Sequence, residues 1–254
     1  MSIFPNNNND SPIKNPLGGD YAINAAPSMS IDINAVMRLV YVWMGLGLAV
    51  TAIVALFINS NEALLKAMYE NPGIIWGAII AQFALVLILS FALNKLSPSL
   101  AGILFLVYAA VTGVSMALIV SMYTGESVAM AFGSTSVLFG VMTVFAFTTK
   151  MDLSKWGTFL FMGLIGIVVV SLLNIFLFKS SGLDLLLSYF GVILFTALTA
   201  YDTYQIKKMA ESPELAYAGS DAVLKLSIFG ALKLYLDFIN LFLYLLRLMG
   251  NRRN

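Results

Sequence analysis

Neither cysteine nor histidine occurs in this chain of 254 residues. Without cysteine there is no disulfide, no thiolate nucleophile and no cysteine metal site. Without histidine the usual near-neutral titrating group is missing, so a response to pH falls to perturbed carboxylates or lysines. Zinc-hydrolase motifs and Ser-His or Cys-His catalysis are excluded as well. Charge is scarce: 11% of the residues are charged and the net charge is +1, which gives no electrostatic case for nucleic acid. These absences point away from an enzyme and away from a resident cofactor.

What the chain has is apolar surface. It is 60% hydrophobic with a mean hydropathy of +0.90, against roughly 45–50% apolar residues in soluble domains. Apolar runs fall at about 37–58, 74–93, 101–122, 128–148, 157–178, 185–206 and 226–249, each near the ~20 helical residues that cross the hydrocarbon core. Unbroken apolarity over such lengths is helical and not the alternation of a membrane barrel. The expected fold is therefore an all-α integral membrane protein with seven transmembrane helices over residues 34–254. Residues 1–33, with FPNNNNDSP, KNPLGGD and NAAPSMSIDIN, read as a disordered tail. They hold no basic region followed by an apolar core, so no cleavable signal peptide is read and the first span is expected to direct insertion. Pro72, Pro98 and Pro213 fall between the runs, where helix breaks belong.

Gly45, Gly47, Gly163, Gly166 and Gly191 are expected to let helices approach closely. Tyr41, Trp43, Trp76, Tyr123 and Trp156 read as interfacial anchors. The distribution of cations favours a cytoplasmic N-terminus. One side then holds Lys14, Arg38, Lys95, Lys150, Lys155, Lys207 and Lys208, and the opposite loops hold Lys66 and Lys179. Arg247, Arg252 and Arg253 run against this pattern. Either the early helices dominate, or the last segment is a re-entrant or incomplete span.

Of 13 acids, two lie inside apolar runs: Asp202 in FTALTAYDTYQIK and Asp237 in LKLYLDFINLFLYLLR. An acid within a span costs roughly 2.5–3.5 kcal/mol on insertion scales and marks a functional site by default. Local neutralisation is the plain alternative for each. Lys207 and Lys208 follow Asp202, while Lys233 and Asn240 stand at i−4 and i+3 from Asp237 on one helix face. If the sixth and seventh spans pack antiparallel, the acids meet and share a proton as a coupled pair. Such a pair serves either hydrolysis or a proton-sensitive ion gate. Tyr201-Asp202 matches half of the intramembrane aspartyl protease pattern, but Asp237 lacks the Gly-x-Gly-Asp setting of the other half. Lys95, closing the second run, is a snorkelling end-cap or a counter-charge to the pair.

Four segments carry a family resemblance: MRLVYVWMGLGLAVTA, FGSTSVLFGVMTVFAFTTKMDLSKWG, GVILFTALTAYDTYQIKKM and IFGALKLYLDFINLFLYLLRLMGNRR. Over roughly residues 35–253 the chain resembles the Bax inhibitor family (transmembrane Bax inhibitor motif proteins) in its bacterial branch. The resemblance implies a seven-helix bundle with the C-terminal helix central, in the inner membrane of a bacterium. It implies that Asp202 and Asp237 form a hydrogen-bonded pair closing a pore, with a pH-sensitive calcium leak as the associated activity. Asp202 and Asp237 are then also the ligands of a weak, transient calcium ion, with Tyr201 and Asn240 as polar neighbours. Where some members carry an arginine latch this chain has Lys95, and Lys233 is an additional cation beside the pair. The expected partners are the lipid bilayer and a permeant cation. A second class of function is modulation of another protein, such as a membrane protease or a stress or cell-death pathway. Secondary transport ranks third, because no inverted repeat is evident.

Overall fold

The computed structural model describes residues 32–253; the expected N-terminal tail lies outside the described residues. Eight α-helices follow in order: α1 Ile33–Asn59, α2 Glu62–Glu70, α3 Pro72–Phe91, α4 Pro98–Ser121, α5 Gly125–Thr148, α6 Gly157–Leu173, α7 Ser181–Ala210 and α8 Pro213–Met249. Among the described residues there is no strand beyond one isolated bridge between Tyr123 and Arg252. Seven segments are long and apolar enough to cross a bilayer: α1, α3, α4, α5, α7, the Leu153–Phe178 stretch containing α6, and the Gly219–Met249 part of α8.

The helix starts follow from local chemistry. Asp32 accepts from the Asn34 N–H, Ser97 from Leu100, Thr124 from Ser127 and Ser180 from Leu183, each satisfying an otherwise orphaned donor. Pro72, Pro98 and Pro213 each open a helix. At the first helical position the missing N–H costs nothing and the fixed φ already suits the helix. α2 went unread in the sequence. Its nine residues are too short to span, and it lies as a surface helix with Met68 buried.

α1 lies along α4 and α7 along α8, while α3 packs on α4 and α6 on α7. α8 touches α1, α4, α5 and α7 and is the most buried of the spans. Lipid tails are as apolar as leucine, so these contacts rest on close packing rather than on the hydrophobic effect. Gly47 is covered by Phe105 and Tyr235, Gly163 by Leu194, and Gly191 by the Tyr244 ring. Gly45 and Gly166 face open space, so the close-approach reading fails for these two. It fails because both look outward from their helices and meet no neighbour.

Several aromatic expectations are also corrected. Trp76 and Trp156 do face outward, at 59% and 47% exposure. Trp43, however, packs on Phe105 and over Gly102, and the Tyr41 hydroxyl is buried within the bundle. Tyr123 is buried against Gly250 at the C-terminus.

The last segment, Gly219–Met249, is one continuous stretch long and apolar enough for a full crossing, which speaks against the re-entrant alternative. A break at Gly219 (φ 80°) sets its start, at a backbone conformation glycine tolerates. Its far end is strapped to the α4–α5 turn: Thr124 N–H donates to Asn251 O, Arg253 N–H to Met122 O, and Asn251 N–H to Ser127 Oγ. Arg252 and Arg253 therefore lie at the end of the bundle opposite Lys95, Lys150, Lys155, Lys207 and Lys208, here termed the lysine-rich end.

Candidate functional site

α7 and α8 bring the two intramembrane acids into one place. Asp202 is eight residues before the end of α7, so about 12 Å along the helix from the lysine-rich end. Asp237 is twelve residues before the end of α8, about 18 Å from the other end. Both are nearly fully buried, at 8% and 4% exposure. Asp202 and Lys233 are the charges that face Asp237.

The counter-ion is Lys233, and its pairing crosses between helices. Its Nζ donates to Asp202 Oδ1 at 2.7 Å, short enough for a charge-assisted bond. The expected local pair between Lys233 and Asp237 is not the one formed. Lys233 and Asp237 stand one turn apart on the face of α8 that α7 covers, and the ammonium reaches across to α7. It also sits over the Phe229 ring at 5.8 Å. Asp237 keeps one carboxylate oxygen, Oδ2, buried and without a hydrogen-bond partner. A direct hydrogen bond between the two acids is absent among the described residues; the ion pair stands where the shared proton was expected.

The other predicted residues are placed as follows. Lys95 is exposed on the short turn after α3, and no ion pair or hydrogen bond links it to either acid among the described residues. Lys207 and Lys208 are not neutralising Asp202. Positions five and six onward turn away from its face, so Lys207 Nζ donates to Phe147 O at 3.4 Å and Lys208 Nζ to Ser154 Oγ at 3.1 Å. Asn240 donates to Leu236 O on its own helix at 2.8 Å. Tyr201 packs its hydroxyl end against Gly157 at the start of α6.

All of these except Lys95, Lys207 and Lys208 line one cleft of about 1020 Å³. The end of α3 and one face of α6 form its walls, and α7 and α8 form its floor. The polar wall residues Ser90, Ser154 and Thr158 were not singled out in the sequence, since isolated hydroxyls in apolar runs carry no signal of their own.

The α5–α6 turn locks the lysine-rich end of α7 near this cleft. Asp152 Oδ1 accepts from the Ser154 N–H at 3.1 Å and from the Tyr204 hydroxyl at 3.2 Å. The Ser154 N–H holds the exposed Asp152 carboxyl below its ordinary value, helped by its side-chain partners and by Lys208. That lock is present above the ordinary carboxylate range, near 4, and is lost as the pH falls through the lowered value. Asp152 thus stays ionised across neutral pH.

Comparison with known proteins adds the following. Residues 33–254 match the family described as "Inhibitor of apoptosis-promoting Bax1". The chain is 46% identical over 217 residues to the inner membrane protein YbhL of Escherichia coli strain K12, covering 85% of this chain and 92% of that protein. It is 42% identical to an uncharacterized protein of Borreliella burgdorferi, covering 87% and 94% of the two chains. It is 33% identical to the uncharacterized membrane protein SpyM3_0260 of Streptococcus pyogenes serotype M3, again covering 87% and 94%.

Proposed function

This chain belongs to the Bax inhibitor family, and from that premise together with the buried charge cluster we propose that it is a passive, pH-sensitive cation pathway gated at Asp202, Lys233 and Asp237. It is a multi-pass protein of a bacterial inner membrane. The observation that carries the proposal is Asp237, whose unpaired carboxylate oxygen lies deep in the bundle beside the Lys233–Asp202 bond. A buried acid left without a partner costs stability, and function is the reason such a group is kept in a membrane.

With a proton on Asp237 the three groups are neutral together and the ion pair clamps α7 to α8. When that proton leaves, one net negative charge remains. It repels Asp202 and competes for Lys233, which loosens the clamp and offers oxygen ligands to a passing cation. Calcium suits such ligands but takes six to eight oxygens, so two carboxylates hold it only weakly and water or carbonyls complete the shell. Weak binding suits a leak. The mechanism uses no catalytic residue and no cofactor. The lysine-rich end is assigned to the cytoplasm by its cations.

The test is calcium entry into dye-loaded proteoliposomes between pH 6 and 8. Wild-type flux is expected to rise with pH, and Asp202→Asn and Asp237→Asn to flatten that dependence. Unchanged pH-dependent flux in both variants removes the gate from these residues.

A second reading rests on the family's printed description, which speaks of inhibiting another protein. On this reading the chain is a membrane-embedded modulator, of a membrane protease or a stress pathway, and residues 1–33 are its handle. Deleting them abolishes a modulator acting through the tail and leaves ion flux intact.

A further inference from the structure

The cleft above the two acids carries large exposed apolar side chains beside its few hydroxyls. Phe91 and Phe161 stand on it at 83% and 60% exposure, and Val168 at 50%. Phe161 and Val168 lie within the Leu153–Phe178 span, where exposed side chains meet lipid tails, and Phe91 ends α3 at the lysine-rich end. The opening between α3 and α6 thus faces sideways, toward the hydrocarbon. At about 1020 Å³ the space is at the upper end of ligand clefts, which run from roughly 300 to 1,000 Å³.

With Asp237 ionised, the floor of the cleft is charged and unbalanced. Two carboxylates face one ammonium, and the oxygen left over is Asp237 Oδ2, on a residue only 4% exposed. Asp237 itself lines the cleft, so its carboxylate is the group there with room for a cationic donor. A lipid without a cationic group supplies no charge to it, a purely anionic lipid is repelled by it, and a quaternary ammonium has no N–H to give it. Largely apolar walls above an unpaired carboxylate fit a hydrocarbon chain that ends in a primary ammonium.

We propose that the lateral cleft between α3 and α6 is a binding site for a lipophilic primary amine, with its chain along Phe91, Phe161 and Val168 and its ammonium donating to Asp237. A lipid with an ethanolamine head and a free long-chain amine share this chemistry. The inference goes beyond the ion-pathway reading and does not depend on it, because binding is measured without flux.

Dodecylamine serves as the probe, added to the full chain in nanodiscs of phosphatidylcholine at pH 7.5, with the thermal unfolding midpoint as readout. The amine is expected to raise the wild-type midpoint saturably, and dodecanol and dodecyltrimethylammonium to leave it where it was. Asp237→Asn is expected to weaken the apparent amine affinity about tenfold or more, the scale of one lost charged hydrogen bond. Val168→Trp fills the cleft from its lipid-facing wall, leaves both acids in place, and is expected to weaken it comparably. An equal response to dodecanol overturns the proposal, as does an amine response unchanged in Asp237→Asn. If Asp237→Asn does not fold, Val168→Trp decides, and an unchanged response there is equally fatal. Calcium chloride that stabilises the wild type without competition from the amine assigns the floor to an inorganic cation alone. Displacement by nanodisc phosphatidylethanolamine identifies a lipid head as the source, and its absence a free amine.

Discussion

Lys233 and Asp237 stand one helical turn apart, the spacing at which neighbours on a helix pair, yet the ammonium crosses to Asp202 on α7. A local pair adds a few tenths of a kcal/mol on an exposed helix. An inter-helix pair instead settles the buried charge of Asp202 on α7 with a half-buried ammonium on α8, and leaving a buried charge alone costs about 3–5 kcal/mol. The cross-pair therefore both holds α7 to α8 and leaves Asp237 with a free oxygen. Lys233→Met is expected to release that clamp: calcium flux at pH 6 should rise severalfold over the wild type, with the pH dependence correspondingly shallower. Flux at pH 6 equal to the wild type separates Lys233 from the gate. Asp152 is not a competing sensor, since its lowered titration lies well below this range.

At the scale of the element, α7 and α8 meet where glycine permits it. A Cβ at position 191 would stand 2.6 Å from the Tyr244 ring, whereas one at Gly166 would meet nothing within 4 Å. Gly191→Val is expected to cost about 1–3 kcal/mol through overpacking, and Gly166→Val to stay within about 0.5 kcal/mol. Thermal unfolding in detergent checks both; equal effects at the two sites mean that this contact does not set the helix spacing. The aromatic anchors were misread for a related reason. Sequence position gives depth in the bilayer but not azimuth around the helix, so Trp43 and Tyr41 near a span end still turn inward.

Across the whole molecule, an odd number of crossings places the two ends of the described chain on opposite faces, and the strap from Asn251 and Arg253 to the α4–α5 turn fixes the last one. The chain has no native cysteine, so single cysteines report position without background. Lys150→Cys and Arg253→Cys are expected to react with a membrane-impermeant maleimide from opposite sides of inner-membrane vesicles, Lys150→Cys from the cytoplasmic face. Labelling of both from one side contradicts seven crossings.

Composition and the length of the apolar runs settled by themselves that the chain is a bundle of seven membrane helices. In lipid every backbone polar group must find a partner within the protein, and an unbroken apolar run of about 20 residues has the helix as its solution. The rarity of charge in those runs also singled out Asp202 and Asp237, because burial makes each one conspicuous. Six runs were read within about four residues of the observed spans at each end, the seventh starts seven residues late, and the missed α2 is too short and too polar to register as one. Which cation meets which acid was decided by the tertiary structure alone. Lys95, Lys207, Lys208 and Lys233 are all within plausible reach along the sequence, but helix rotation and the antiparallel docking of α7 on α8 leave Lys233 as the one whose ammonium reaches Asp202. The cleft is likewise tertiary. Its walls come from α3 and α6, far apart in sequence, and only their placement on either side of α7 and α8 opens a space above the unpaired carboxylate.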